Sequence, residues 1–402
     1  MVCSNDILKR KFILYGLGIS NKSVKSFFDN NKIEYYIFDK NKNLKIDKNF
    51  IVIKSPAIPS NDSFINKCIN NDILVITDIE LFYILRKDIK IIGITGTVGK
   101  TTCTTILYNI LRKRYNVNIA GNIGIPIFEY IDKSIDYLIV ELSSFQLEFT
   151  KYFKPYIYII LNFHPHHLNH HLTIENYLEA KIRTINNLKE DDILIINDKL
   201  MHHLSNRNII CKVNTFSNTQ NADYNSLINS ENINAIKETI KYFNIGNDEF
   251  ITELESFKGI EHRFEEIYYP NNVVVINDSK STSFVSLNDA IRKCLLLKNY
   301  DHKILIIGGK LDQLEIEENI ELIKSIKDFK IYIYAENRFI LKNICDEVAF
   351  CTEYLNDIIM TIKIEPNTLI LFSPAAQSLD QFQSYIERGN VFKDLINKKL
   401  NK

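Results

Sequence analysis

The most specific chemical signal in the chain is the run Ile91-Ile92-Gly93-Ile94-Thr95-Gly96-Thr97-Val98-Gly99-Lys100-Thr101-Thr102. An apolar run leads into a tight turn bearing Gly96 and Gly99, and a helix-period segment follows. Such a turn lets backbone N–H groups approach phosphate oxygens, with the positive end of a helix dipole behind them. Lys100 would reach the β/γ-phosphates and Thr101 would offer its hydroxyl to Mg²⁺. The strict GxxxxGK[ST] spacing is not met, because Gly93 sits one residue early. The bland alternative, a glycine-bearing turn with an exposed lysine, is the weaker one. Strand, turn and helix signals all fall where a phosphate loop needs them.

Three further groups could serve the same chemistry. Glu141 follows the apolar run Tyr137–Val140 directly, and a carboxylate at a strand's carboxyl end is a natural Mg²⁺ ligand; by itself a solvated loop acid fits equally well. Five of the nine histidines (His164, His166, His167, His170, His171) follow the run Ile157–Leu161. They read either as a polar loop or as one or two ligands to a metal or phosphate. With no cysteine nearby, zinc is disfavoured. Thr173–Ile185 reads as a helix with Thr173 as N-cap. Its apolar stripe is Ile174, Tyr177, Leu178, Ile182 and Ile185, and Lys181 falls on that stripe. Its stem either snorkels to water or is desolvated, which favours a neutral, nucleophilic amine.

In the last third, Arg263, Asp278 and Lys280 are candidates for phosphate, ribose or metal. Each also reads as a solvated charge or a loop cap. They lie in Lys258–Glu265 and in Asn277–Thr282, while Ser373–Phe382 closes a third such segment. The last two directly follow the apolar runs Val273–Ile276 and Thr368–Phe372.

The elements that must position these residues are short apolar runs alternating with helix-period segments. Besides those named, the runs are Phe12–Tyr15, Ile51–Ile53, Ile89–Ile94, Ile193–Ile196 and Ile304–Ile307. Continuous runs of this length suit strands buried on both faces, as in parallel sheets. Thr101–Arg114 and Ser283–Lys298 have the helical period. The expected class is α/β, repeated about three times. In such sheets ligands bind beyond the carboxyl ends of strands, where the unusual residues lie. The length of 402 residues suggests two or three domains.

Composition sets limits. Hydrophobic residues make up 46% and charged residues 24%, which excludes a wholly disordered chain. Lys plus Arg equal Asp plus Glu at 49 each, so no nucleic-acid or anionic-membrane footprint arises. No window reaches the roughly 18 apolar residues of a membrane span. Seven dispersed cysteines without a CxxC pair suggest reduced thiols and a cytoplasmic setting.

Taken together, these residues resemble the Mur ligase family, ATP-dependent amide-bond-forming enzymes of peptidoglycan precursor synthesis, and most closely its D-glutamate-adding branch. Thr95–Thr102 is similar to the family's TGTNGKTT loop. Gly121-Asn122-Ile123-Gly124 and the run Glu141–Glu148 are similar to that branch's GNIG and ELSSFQLE. Gly259–Phe264, Asn277–Lys280 and Ser373–Asn390 match as well. ELSSFQLE and SPAxxSLDQF are the branch-specific motifs; the phosphate loop marks only the superfamily.

The resemblance implies three domains. They are a Rossmann-like, UDP-substrate-binding domain over 1–88, a central ATP-binding domain with a parallel sheet over 89–259, and a C-terminal Rossmann-like, amino-acid-binding domain over 260–402. It assigns ATP to Gly96, Thr97, Val98, Gly99, Lys100, Thr101, Thr102, Asn232, Arg263, Asp278 and Lys280. Mg²⁺ falls to Thr101, Glu141, His167 and Lys181, the lysine being carbamylated by CO₂. Lys100, His167 and Lys181 are the implied catalytic residues. Substrates fall to Gly16, Gly18, Ser55, Asn122, Ser143, Thr282, Ser378, Leu379 and Tyr385. The implied reaction joins D-glutamate to UDP-N-acetylmuramoyl-L-alanine through an acyl phosphate, in a cytoplasmic monomer with no nucleic-acid or membrane partner. The departures are Val98 for the loop's Asn, His166 and Asn169 for two acids of the family's DHxD, Ala57 for a Gly, a missing third glycine in the first turn, and Asp312 where GGxDKG has its lysine. They support an alternative, a non-catalytic nucleotide or nucleotide-sugar binding relic. A sister ligase of the folylpolyglutamate type fits the branch motifs poorly.

Overall fold

The structure, a computed structural model, describes residues 4–38, 46–164, 168–217, 228–297, 300–311, 316, 320–336 and 338–400. The chain divides into two compact units, Met1–Phe257 and Lys258–Lys402.

The first unit holds two parallel sheets. In one, β1 (Lys11–Tyr15), β2 (Tyr35–Ile37), β3 (Phe50–Lys54) and β4 (Leu74–Ile76) lie in the order β2-β1-β3-β4. In the other, β5 (Lys90–Thr95), β6 (Val117–Gly121), β7 (Tyr137–Glu141), β8 (Ile157–Ile160), β9 (Ile193–Asn197) and β10 (Lys212–Phe216) lie in the order β10-β9-β8-β5-β7-β6. The continuous apolar runs become strands with helices on their faces, and every residue of β3, β8 and β9 is buried. One core runs through both sheets, from Phe12 and Ile53 through Phe82 and Phe128 to Leu138 and Ile160.

The second unit is a six-stranded sheet of β11 (Glu265–Tyr269), β12 (Val273–Asn277), β13 (His302–Gly308), β14 (Lys330–Tyr334), β15 (Val348–Cys351) and β16 (Thr368–Phe372). Its order is β11-β12-β16-β13-β14-β15, parallel except for β11. The pleat sends alternate residues to two cores. Val274, Ile276, Leu305 and Ile307 face one, and Val273, Val275, Ile304 and Ile306 face the other.

In each sheet the winding reverses at a named strand, and the loops leaving that point open a crevice. The reversal lies beside β1 in the first sheet, beside β5 in the second and around β16 in the third. The Gly16–Gly18 turn leaves β1, the Gly96–Lys100 turn leaves β5 and the segment from Ser373 leaves β16. The missing third glycine of the first turn is explained by Asn21, which stands at that position. Its buried Nδ2 donates to Tyr15 O, Gly16 O and Ile53 O, tying the turn to the ends of β1 and β3 by hydrogen bonds instead of by bare backbone contact.

Two expected helices are shorter than their periodic patterns. Thr101–Arg114 appears as Lys100–Leu111, and Ser283–Lys298 as Phe284–Leu296 behind a Ser283–Ser286 capping box. The helix over Thr173–Ile185 is capped by Thr173, which accepts from Asn176 N; it is α-helical over Ile174–Ile182 and tightens to a 3₁₀ turn over Arg183–Asn187.

Candidate active site

The turn after β5 is a cradle of backbone groups. Gly99 adopts φ 84°, and a Cβ there would stand 2.3 Å from Asn232 Oδ1, so only glycine fits. Asn232 Nδ2 donates to Gly99 O at 3.1 Å, while its buried Oδ1 has no hydrogen-bond partner. Asn162, two residues beyond the end of β8, is a residue that no sequence motif marks. Its Oδ1 accepts from both Thr97 N and Val98 N at 3.0 Å, and its Nδ2 donates to Val98 O. The signal that could have found it was its place, a polar residue following a strand next to the phosphate loop. Tyr177 was read only as stripe; its hydroxyl lies 3.1 Å from Thr97 Oγ1. Val98 turns its side chain outward, 45% exposed.

Lys100, first residue of its helix, folds back over the turn and donates to Gly96 O and Thr97 O, both at 2.9 Å. Thr101 donates its hydroxyl to Glu141 Oε2 at 2.6 Å, a short charge-assisted bond in a buried setting. The other oxygen, Oε1, accepts from Asn122 Nδ2 at 3.0 Å. Glu141 and Asn122 meet because β6 and β7 are neighbours and Gly121 turns tightly at φ 93°; a Cβ there would stand 2.2 Å from Glu141 O. Hydroxyl and carboxylate oxygens side by side at the foot of a phosphate loop are the donor set a hard cation takes. The residues present fit Mg²⁺.

Lys181 lies on the buried face of its helix with 2% exposure, and its Nζ donates to Gly96 O at 3.0 Å. The snorkelling alternative is thereby overturned. Burial, with Lys100 nearby, drives the ammonium well below the ordinary lysine range, and the ring of Tyr177 lies 4.6 Å from it. The desolvated amine and the phosphate-loop lysine thus share one carbonyl. Thr102 follows on the same helix. His167 and His166 lie outside the described residues, as does the side chain of Asn169.

Gly16 and Gly18 lie against Ser55, which leaves β3: a Cβ on Gly16 would meet Ser55 Cβ at 3.0 Å, and one on Gly18 would meet Ser55 Oγ at 2.9 Å. Ser143 caps the short helix Ser144–Leu147 in a capping box with Gln146. One turn on, His170 Nε2 lies 3.0 Å from Glu148 Oε2. Burial works to raise the Glu148 carboxyl, but the hydrogen bond and charge of His170, with His171 and Lys54, hold it below the usual carboxylate range. Burial pushes His171 down to about 4.

In the second unit the loops after β12, β13 and β16 meet. Asp278 accepts from Ser373 Oγ at 2.8 Å and from Phe264 N at 3.1 Å, so both its oxygens hold loops together; burial pushes its carboxyl up to about 6. Arg263 forms an isolated bridge with Ile260, and its buried Nε has no hydrogen-bond partner. Lys280 lies over the ring of Tyr385, 4.8 Å from its centroid. Ser378 is buried, while Thr282 and Leu379 are exposed. Lys310 pairs through its backbone with Gln377, which ties the β13 loop to the β16 loop. Asp312 lies outside the described residues.

A family model described as the Mur ligase middle domain matches residues 94–257. The chain is 32% identical over 394 residues to the UDP-N-acetylmuramoylalanine--D-glutamate ligase of Caldicellulosiruptor saccharolyticus, covering 88% of this chain and 85% of that protein. It is 30% identical over 445 residues to the protein of the same name from Buchnera aphidicola subsp. Baizongia pistaciae, covering 98% and 99%. Among solved structures, the crystal structure of MurF ligase from Thermotoga maritima in complex with ADP superimposes with a TM-score of 0.60 at 18% identity, over 98% of this chain and 99% of that one. At that identity the likeness is one of fold.

Proposed function

The chain belongs to the Mur ligase family, among its UDP-N-acetylmuramoylalanine--D-glutamate ligases, and from that premise we propose that it joins D-glutamate to UDP-N-acetylmuramoyl-L-alanine at the expense of ATP. The carboxylate of the nucleotide-sugar substrate attacks the γ-phosphate, ADP leaves, and the amine of D-glutamate displaces phosphate from the acyl phosphate. The observation that carries this reading is the convergence of Lys100, the Thr101–Glu141 pair and buried Lys181 on one phosphate loop.

Each group has a task suited to its surroundings. Thr97 N and Val98 N are held by Asn162 Oδ1, so the N–H groups of the first helical turn after Gly99 would serve the phosphates, and Lys100 would exchange two carbonyls for phosphate oxygens, spreading the charge that builds on the transferred group. Thr101 and Glu141 would hold Mg²⁺, which supplies charge neutralisation at the phosphoryl oxygens when bound. Lys181, whose burial favours the neutral amine, would add to CO₂ through its nitrogen lone pair and lose a proton. The resulting carbamate would be an anion able to offer oxygens to a second Mg²⁺, and His167 is the other residue assigned to that ion. Asn122, bonded to the Glu141 carboxylate, relates the metal to the nucleotide-sugar. Gly16, Gly18, Ser55 and Ser143 complete the assignment to that substrate in the first unit. Asn232, Arg263, Asp278 and Lys280 are assigned to the adenine nucleotide, and Thr282, Ser378, Leu379 and Tyr385 to D-glutamate. The setting is the cytoplasm, and the working form a monomer; no helix among the described residues is long and apolar enough to cross a membrane.

The deciding experiment measures phosphate release with UDP-N-acetylmuramoyl-L-alanine and ATP, with and without D-glutamate. Release that depends on both substrates, with formation of the D-glutamyl product, supports the ligase. Nucleotide binding without D-glutamate-dependent turnover would replace it with the relic reading, which the substitutions at His166, Asn169 and Asp312 favour.

A further inference from the structure

We propose that Glu148, His170 and His171 form a binding site for a divalent transition metal of the zinc class, built apart from the oxygen donors Thr101 and Glu141. The inference does not depend on the ligase reading. One ligand atom from each of the three residues lies within 4.8 Å of the others. His170 Nε2 is 3.0 Å from Glu148 Oε2, and His171 Nδ1 is 3.7 Å from Glu148 Oε1. A tetrahedral zinc with bonds of about 2.0–2.1 Å keeps its ligand atoms roughly 3.3 Å apart, and the two separations bracket that figure. The two imidazoles approach different oxygens of the one carboxylate, so Glu148 would present either or both of them to the ion.

The surroundings are those of a metal-binding imidazole. His171 Nε2 lies 2.9 Å from Ser144 Oγ. When Nε2–H donates to that hydroxyl, the lone pair of Nδ1 is left bare. That Nδ1 is buried and has no hydrogen-bond partner. A buried ring nitrogen without a partner is costly, and a cation between His171 and Glu148 removes the cost. Orientation of the ligating ring through its other nitrogen is the usual outer-shell device. Phe145 fixes both ring planes, with its centroid 4.1 Å from His170 and 5.4 Å from His171. The side chains of Glu148, His170 and His171 are 17%, 9% and 0% exposed, so the site is sheltered but reached through the carboxylate.

A plain Glu148–His170 ion pair accounts for one of these contacts and leaves His171 Nδ1 unexplained. Two imidazoles and a carboxylate are a sufficient set for zinc, so the missing cysteine does not by itself bar it. The mixed nitrogen and oxygen set disfavours Mg²⁺. Lys54 acts on the same carboxylate; its buried ammonium at the end of β3 has no hydrogen-bond partner and would compete with a metal. A bound ion would fasten Leu168–His171 to Ser144–Leu147, the short helix that begins three residues after Glu141.

The test uses full-length protein stripped with a chelator, then titrated with Co²⁺ as a coloured stand-in for Zn²⁺, in excess Mg²⁺ and without nucleotide. One Co²⁺ per chain with a visible absorption band, displaced by Zn²⁺ and not by Mg²⁺, is expected. His171→Ala and Glu148→Gln should each weaken binding at least tenfold, Ser144→Ala about tenfold through the lost outer-shell bond, and Lys54→Met should tighten it. Circular dichroism checks the fold of each variant, and His171→Asn serves if the alanine variant does not fold. Absence of a stoichiometric band, a band unchanged in His170→Ala/His171→Ala, or Co²⁺ that Mg²⁺ competes away would overturn the proposal.

Discussion

At the scale of single residues, Lys181 and Lys100 show how burial assigns different work to the same side chain. Both donate to Gly96 O, but Lys181 is enclosed and driven toward its neutral form, while Lys100 caps the phosphate loop. Lys100→Ala is expected to abolish product formation and leave the circular dichroism spectrum unchanged; more than a tenth of wild-type turnover would remove its assigned role. Lys181→Ala is expected to lose activity and to regain part of it with a small added carboxylate such as acetate. A carbamate carbonyl resonance from ¹³C-bicarbonate, present in the wild type and absent from the variant, is the direct readout. The departure at Asp312 belongs here too. An aspartate where the family has a lysine repels the side carboxylate of D-glutamate by roughly 1 kcal/mol at 4 Å in water-like surroundings. Asp312→Lys should therefore lower the KM for D-glutamate several-fold. No change there, together with a large loss in Lys310→Ala, would give the grip to Lys310, which is tied beside Gln377.

At the scale of elements, the phosphate loop depends on the neighbouring strand as much as on its own glycines. Asn162 follows β8 by two residues and accepts from two loop N–H groups. Asn162→Ala leaves them without that acceptor, and unmade buried hydrogen bonds cost about 1–3 kcal/mol each. The expected result is a lower urea midpoint and a KM for ATP raised at least tenfold, with kcat at saturation less affected. Asn162→Asp, which keeps an acceptor, should restore much of the stability. Elsewhere, Asp78 opens the helix Asp78–Leu85 with its carboxyl buried and pushed up to about 6. Below about pH 4 folded and unfolded states both hold its proton, and the group does not oppose folding. As the pH rises through 6 the folded state must bury the charge, and stability is lost. Asp78→Asn should therefore be nearly neutral at pH 4 and stabilising at pH 8, by on the order of 2 kcal/mol. A gain equal at both pH values in urea titrations would refute the linkage.

At the scale of the whole molecule, two units with separate cores are expected to unfold in more than one step. On the proposed assignment of ATP to the loop of the first unit, saturating Mg-ATP should raise that unit's transition, by about 2.7 kcal/mol at a hundred times Kd. Calorimetry of Lys100→Ala, where the shift should disappear, separates this binding effect from general salt stabilisation.

The sequence by itself determined the α/β class, because strands buried on both faces must be unbroken apolar runs. Val273–Ile276 and Thr368–Phe372 stand almost residue for residue where those runs placed them. It also determined the phosphate loop and the family, because turn glycines, Lys100 and the Glu141–Glu148 motif are local patterns. Edge strands escaped it. β2, β4, β6, β10, β11 and β15 lie at sheet edges; β6, β10 and β11 carry polar residues that break the run, and β2, β4 and β15 are only three or four residues long. β14 escaped in spite of its apolar sequence, and no physical reason hides it. What only the tertiary structure decided is which distant groups meet. Periodicity put Lys181 on an apolar stripe but could not say whether its head reached water; the packing of its helix against the β5 turn decided that. Asn162, Asn21 and the Glu148–His170–His171 cluster have no fixed spacing. Their partners lie on neighbouring strands and loops, and strand order, a long-range outcome of packing, sets those meetings.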